Sequence, residues 1–236
     1  MQRQILALCF RAAPPRDALD ELGGSSQWLI YRELVRERLL REIKLALPRT
    51  AALCTAAVLE ETFVWQLEHE PPRTRFFREV VHAFAACALR RWAELPSLHP
   101  AARDMLRYEL ALWDVADLDA TPSCTPGEFA FDKRPVVSRA LALLEVSHAV
   151  HLPECAPGVH YLCVHRPSDA ERPRTWSLTP VTYQLLTQLR AGERPVDEIV
   201  KQLAAAAGAR IDAAYLDALC TTLAQLMELG IVLGSR

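Results

Sequence analysis

The chain has 236 residues, a formal net charge of −2, and 51% hydrophobic against 24% charged residues. That length fits two modest domains with cores of their own, and the near-neutral balance gives no general attraction to nucleic acid or anionic lipid. No apolar run approaches a membrane span, and the short run within residues 1–10 is too brief for a secretory signal.

Eight glycines amid abundant Ala, Leu and Arg predict a helix-rich chain. Seven cysteines, dispersed and never spaced C-x-x-C, read as buried thiols of a reduced, cytoplasmic protein. The segment from Gln2 to Phe10 has helical periodicity. Pro14-Pro15 breaks it, and Gly23-Gly24 is a hinge. A long amphipathic helix follows, about Trp28 to Leu47. Its expected inner face is Ile30, Tyr31, Leu34, Val35, Leu39, Ile43 and Ala46. Its expected outer face carries Arg32, Arg36, Arg38, Arg41 and Lys44 against Glu33, Glu37 and Glu42, a solvated charged surface or a dock for an acidic partner.

Pro48 ends that helix. Thr50 is placed to cap a short helix to Val58, and another runs from Leu59 to His69. Pro71-Pro72 breaks the chain before a helix opening at Arg73 to Val80, with Phe76 inward and Phe77 turned partly elsewhere. A loop from Leu95 to Pro100 leads to a last helix, about Ala101 to Leu118, with Met105, Tyr108, Leu112 and Val115 aligned.

From Asp119 the texture changes. Thr121 to Gly127, with two prolines and a glycine, reads as a linker. The alternation of Leu144, Val146, His148 and Val150 gives a first strand, Val159 to Arg166 a second, and Arg174 to Leu178 a third. Thr179 then caps a helix with Pro180 at its first position, and Gly192 stops it. Pro195, Asp197 and Glu198 open a second helix that ends at Gly208. Asp212 caps a third, striped by Tyr215, Leu219, Leu223 and Leu226 and stopped at Gly230. Ile231 to Leu233 reads as a closing strand. The whole is an α+β chain: an all-α domain over 1–120, a linker over 121–142, and a small winged-helix-like domain over 143–236, with about three strands and three helices.

That outline serves either a DNA-binding regulator or a peptide-binding module. A recognition helix needs cations for phosphates, yet no Lys or Arg occurs from Ile211 to Ser235, and Asp212, Asp217 and Glu228 are acidic. The peptide reading is therefore preferred. An open sheet edge beside a helix can accept an extended peptide as a further strand. The third strand (Arg174, Thr175, Trp176, Ser177, Leu178) and the apolar third helix are the candidate walls, with Trp176 either an anchor or core. His148, His151, Cys155, His160, Cys163 and His165 are candidate metal ligands by type, but strand geometry sends His148 and His151 to opposite faces. No G-x-S-x-G, H-E-x-x-H or glycine-rich phosphate loop is present, so no catalytic residue is assigned.

Tyr31-Arg32 with Val35-Arg36, Leu47-Pro48-Arg49-Thr50, Arg75-Phe76-Phe77-Arg78-Glu79 and Tyr108-Glu109-Leu110-Ala111 with Trp113 resemble the helical domain of a bacterial group. So do Tyr161-Leu162-Cys163-Val164-His165-Arg166, Leu178-Thr179-Pro180-Val181-Thr182 and Gly230-Ile231-Val232-Leu233-Gly234 in its C-terminal part. The group comprises partner proteins of multinuclear non-heme iron-dependent oxidases, the methanobactin-partner and HvfC-like proteins, with that of the 3-thiaglutamate pathway among them. The chain departs from it at His148-Ala149, where an aromatic–proline pair is common. The resemblance implies a non-catalytic subunit of a heterodimer. Its C-terminal domain would hold the leader of a ribosomally synthesised precursor peptide, between Arg174–Leu178 and Tyr215, Leu219 and Thr222. Its helical domain would dock the oxidase, with Arg32, Arg36, Arg75, Phe77, Arg78, Tyr108, Glu109 and Trp113 as candidate contacts. Iron would reside in that partner, and no cofactor on this chain.

Overall fold

The computed structural model describes residues 2–11, 13, 16–24, 26–72, 74, 76–119 and 129–236. These form two compact units, Met1–Leu110 and Ala111–Arg236.

The first unit is helical. It contains α1 (Gln2–Phe10), α2 (Arg16–Glu21), α3 (Gln27–Ala46), α4 (Pro48–Leu53), α5 (Ala56–His69), α6 (Phe77–Arg91) and the start of α7 (Ala102–Asp117). Its core is built on Leu8, Ile43, Leu47, Phe63, Leu67, Phe84, Trp92, Met105 and Leu106, each at most 2% exposed. Trp92 brings a polar atom into this core. Its indole N–H donates to Thr62 Oγ1 at 2.9 Å, and Thr62 in turn donates to the Val58 carbonyl at 2.7 Å, so the buried groups are satisfied.

Three local expectations give way here. Pro48 does not only end α3; it occupies the first turn of α4, where a missing N–H is harmless. Thr55, not Thr50, is the cap that matters, accepting from the Val58 N–H, and one helix runs unbroken to His69. Phe76 sits just before α6 and is 59% exposed rather than inward, and Val80, Val81, Phe84 and Cys87 form the buried face.

The largest correction concerns α3. Ile30, Tyr31 and Leu34 lie outside, at 62%, 46% and 60% exposure, while Arg32 is only 5% exposed. The cause is α1, which packs on α3. The Arg32 guanidinium donates to the Leu8 and Arg11 carbonyls, at 2.5 and 2.7 Å. Those carbonyls lie at the end of α1, where acceptors lack intrahelical donors and the dipole is negative. Arg32 thus supplies acceptors that cost about 1–3 kcal/mol each when buried unpaired.

The second unit opens with the end of α7. Residues 120–128, including most of the proline-rich stretch of the expected linker and Cys124, lie outside the described residues. The rest of the linker span is structured: β1 (Pro135–Val137) falls within it, and β2 (Leu141–His148) begins there. β3 (Pro157–His165) and β4 (Arg174–Leu178) complete a three-stranded antiparallel sheet in the order β2-β3-β4. Then come α8 (Pro180–Ala191), α9 (Val196–Ala206), α10 (Ala213–Glu228) and β5 (Val232–Ser235), which pairs antiparallel with β1.

The three helices begin and end as their punctuation predicts. Thr179 and Asp212 accept the Thr182 and Tyr215 amides, and Gly192 closes α8 at φ 64°. Their apolar faces meet the sheet in one cluster: Leu185, Leu186, Leu189, Val196, Ile199, Val200, Leu219, Leu223 and Leu226, with Leu141 and Cys163 from the strands. Among the described residues no helix is long and apolar enough to cross a membrane.

Candidate peptide-binding site

Strand order puts β4 at one margin of the sheet. Its inner edge is consumed by β3, with Trp176 opposite Cys163, Leu178 opposite Tyr161 and Arg174 opposite His165. No strand among the described residues pairs with its outer edge. Directly opposed residues of neighbouring strands share a face. Arg174, Trp176 and Leu178 therefore lie on the helix-facing side with Cys163 and His165, and Thr175 and Ser177 on the reverse.

The reverse side carries the chain segment after β2. Val146, Leu162 and Val164 are fully or almost fully buried there, as are Ala149 and Val150 just beyond the strand. His151 Nε2 lies 3.0 Å from Ser177 Oγ and ties this loop to β4. A bulge between Val146 and His148 ends the regular ladder. His151 is thus in the turn beyond β2, not on the strand as expected. The histidine-rich stretch is divided between the two faces. His165 and Cys163 look toward the helices, while His160 lies on the reverse near His151, their rings 6.0 Å apart. Among the described residues no three His, Cys, Asp or Glu side chains converge to hold a metal ion.

The predicted walls meet on common ground. Trp176, Leu178 and Tyr215 are half-buried and pack against the same cluster that contains Leu219. Trp176 is accordingly a core residue with an exposed margin. Leu219, at 8% exposure, has little surface left to offer a ligand. Thr222 donates its hydroxyl to the Ala218 carbonyl at 2.9 Å. Arg174 and Ser177 are exposed and Thr175 half-buried. On α10 sequence reasoning overlooked Leu216 and took Cys220 for a buried thiol, which it is not. Both are exposed, Leu216 at 44%, and Met227 at 36% continues their strip. The four-residue step from Leu216 to Cys220 was the available signal.

Burial sets the chemistry of the helix-facing side. The Cys163 thiol is pushed up to about 12 by desolvation, which keeps it protonated and inert. His165 is 1% exposed, its Nδ1 has no hydrogen-bond partner, and burial pushes it down to about 4. Its ring lies 6.0 Å from that of Trp176. Away from its exposed margins, where Arg174 and Glu145 lie, this face is apolar. α10 contains no Lys or Arg, so no observation favours DNA.

Of the candidate docking residues, Arg75 lies outside the described residues. Arg32 is engaged by α1. Tyr108 is 5% exposed and Glu109 6%, and Glu109 accepts the Arg49 and Thr50 amides at 2.8 and 2.7 Å. Arg36, Phe77, Arg78 and Trp113 are half-buried, and Phe77 lies beneath the Arg38 guanidinium, 5.4 Å from ring centre.

A three-stranded antiparallel sheet followed by three helices defines the second unit as a winged-helix-like module in which, among the described residues, the outer edges of β2 and β4 are both unpaired. Residues 141–227 match the family model described as the HvfC C-terminal domain. The likeness is confined to that stretch, which holds β2 to β4 and the three helices. No curated protein matches the chain.

Proposed function

We propose that the chain is a non-catalytic accessory subunit. It binds the leader of a ribosomally synthesised precursor peptide by strand addition at β4, and presents that peptide's cysteine to a separate iron-dependent oxidase. The observation that carries this reading is the unpaired outer edge of β4 in the stretch that matches the HvfC C-terminal domain. An extended peptide finds backbone donors and acceptors along that edge, and alternate side chains meet the margin of Trp176 and Leu178 on one face. Capture raises the local concentration of the peptide's cysteine at the oxidase without any new contact to the core peptide. In this reading iron belongs with the oxidase. The protein works in the cytoplasm, where its thiols stay reduced.

Hydrogen exchange of the full chain with and without a synthetic leader peptide tests this reading. Amides of Arg174–Leu178 slow on binding. Saturable binding that leaves β4 unprotected, or no binding at all, overturns it.

A further inference from the structure

Beside the end of α10 the second unit holds a cavity of about 170 Å³. His165 and Ser138 are buried side chains of its wall. The stretch from Pro167 to Asp169, Glu228 to Gly230, and Leu233 complete the lining. His165 is 1% exposed, and its Nδ1 has no hydrogen-bond partner among the described residues. Burial pushes the ring down to about 4, so at neutral pH it is uncharged and one of its nitrogens is an acceptor. Leaving such a nitrogen unpaired is costly. A donor placed in the cavity that His165 lines removes that cost.

The charge on the cavity wall is of one sign. Its charged residues are Asp169 and Glu228, both exposed, and neither forms an ion pair with a described residue. α10 ends here with no basic side chain in its last turn, so the negative end of its dipole stands uncompensated. The cations adjacent in sequence or register do not line the cavity. Arg166 donates to the Val115 and Leu118 carbonyls. Arg139 lines a separate cavity with Arg190 and Arg236. Arg174, opposite His165 on β4, lies on the exposed margin. Among the described residues no three donor side chains converge on a metal ion, so the complementary ligand is an organic cation. We propose that this cavity binds a guanidinium group, one N–H donating to His165 Nδ1 and others to the Asp169 and Glu228 carboxylates. The planar group carries its donors in a fixed fork, which lets one head group serve several acceptors at once. Its source is an arginine side chain of a peptide or a free guanidino compound. The site needs no strand added to β4.

The test is calorimetric titration of the full chain with acetyl-glycyl-arginyl-glycinamide and, separately, with agmatine. The same peptide with citrulline in place of arginine is the uncharged isostere. Nitrogen NMR follows the His165 ring in the same samples. The arginine peptide, agmatine or both bind saturably, and the His165 Nδ1 resonance moves. The citrulline peptide binds roughly tenfold more weakly or worse. Binding of the peptide alone gives the site to a side chain, and binding of agmatine alone gives it to a free compound. Asp169→Asn with Glu228→Gln lowers the affinity roughly tenfold. Both side chains are exposed, so the melting temperature stays as in the unaltered chain. Three results overturn the assignment: no binding of either probe at millimolar concentration, binding that leaves His165 Nδ1 unmoved, or a double variant within about twofold of the unaltered chain.

Discussion

The carboxylate of Glu109, on α7, accepts the backbone N–H of Thr50 at 2.7 Å. Its other oxygen takes the Arg49 N–H at 2.8 Å. Both amides lie in the first turn of α4, where donors have no partner within the helix. A buried acid thus caps a neighbouring helix, charge against the positive end of its dipole. Glu109→Gln keeps one acceptor and turns an amide N–H₂ toward a backbone N–H. It is expected to destabilise the first unit by about 2 kcal/mol in urea titrations, and Glu109→Ala by rather more.

His165 makes the second unit sensitive to acid. Burial pushes its pKa down to about 4, from the ordinary 6.5 of a histidine in water. Between those values the unfolded chain binds the proton and the native one does not. Stability is therefore complete above pH 6.5 and falls as pH drops toward 4, the direction expected for a base held neutral by burial. Denaturant titration at pH 5 should give a stability about 2 kcal/mol lower than at pH 7.5. His165→Phe should flatten that difference; an unchanged slope would remove His165 as its source.

Thiol reactivity follows burial. Cys220 is exposed, Cys54 partly so, and Cys9, Cys87, Cys155 and Cys163 are buried. Desolvation raises Cys54 to about 11 and Cys163 to about 12. Among the described cysteines, a thiolate-selective reagent at pH 8 should modify Cys220 first and Cys54 far more slowly, and the four buried thiols only on unfolding. Peptide mapping by mass spectrometry checks the order. Rapid labelling of Cys163 would show that the packing of β3 against the helices is looser than described.

Gly230 carries a conformational demand with no steric one. It stands at φ +69°, and a Cβ there would meet His165 Cε1 at 3.9 Å, an ordinary contact. Gly230→Ala should therefore cost about 1–2 kcal/mol, the left-handed penalty alone. A thermal melt measures it. A larger loss would mean that the α10–β5 turn itself has moved.

The C-terminal helices were legible because their signals are local. Thr179, Asp212, Gly192 and Gly230 act on the backbone within a few residues, so reading them needs no knowledge of neighbours. The bounds of β4 follow for the same reason, set between Pro173 and the Thr179-Pro180 cap. β1 was missed because three residues, Pro135–Val137, acquire strand character only by pairing with β5, almost a hundred residues downstream.

The candidate site was half legible. The strand from Arg174 to Leu178 was expected with Trp176 left as anchor or core, and only the register against β3 shows Trp176 opposite Cys163 and packed on the core. On α3 the periodicity was correctly seen and Ile43 is inward as expected, but the direction of the N-terminal half, with Ile30, Tyr31 and Leu34, was not. Which side of an amphipathic helix faces inward depends on what packs there, and the carbonyls at the end of α1 drew in Arg32 and turned Ile30 and Leu34 out. Alone, the amino-acid order determined where helices start and stop, because caps and turn residues act through the adjacent backbone. Only tertiary structure decided which surfaces remain for a partner, because exposure is settled by long-range competition for a limited interior.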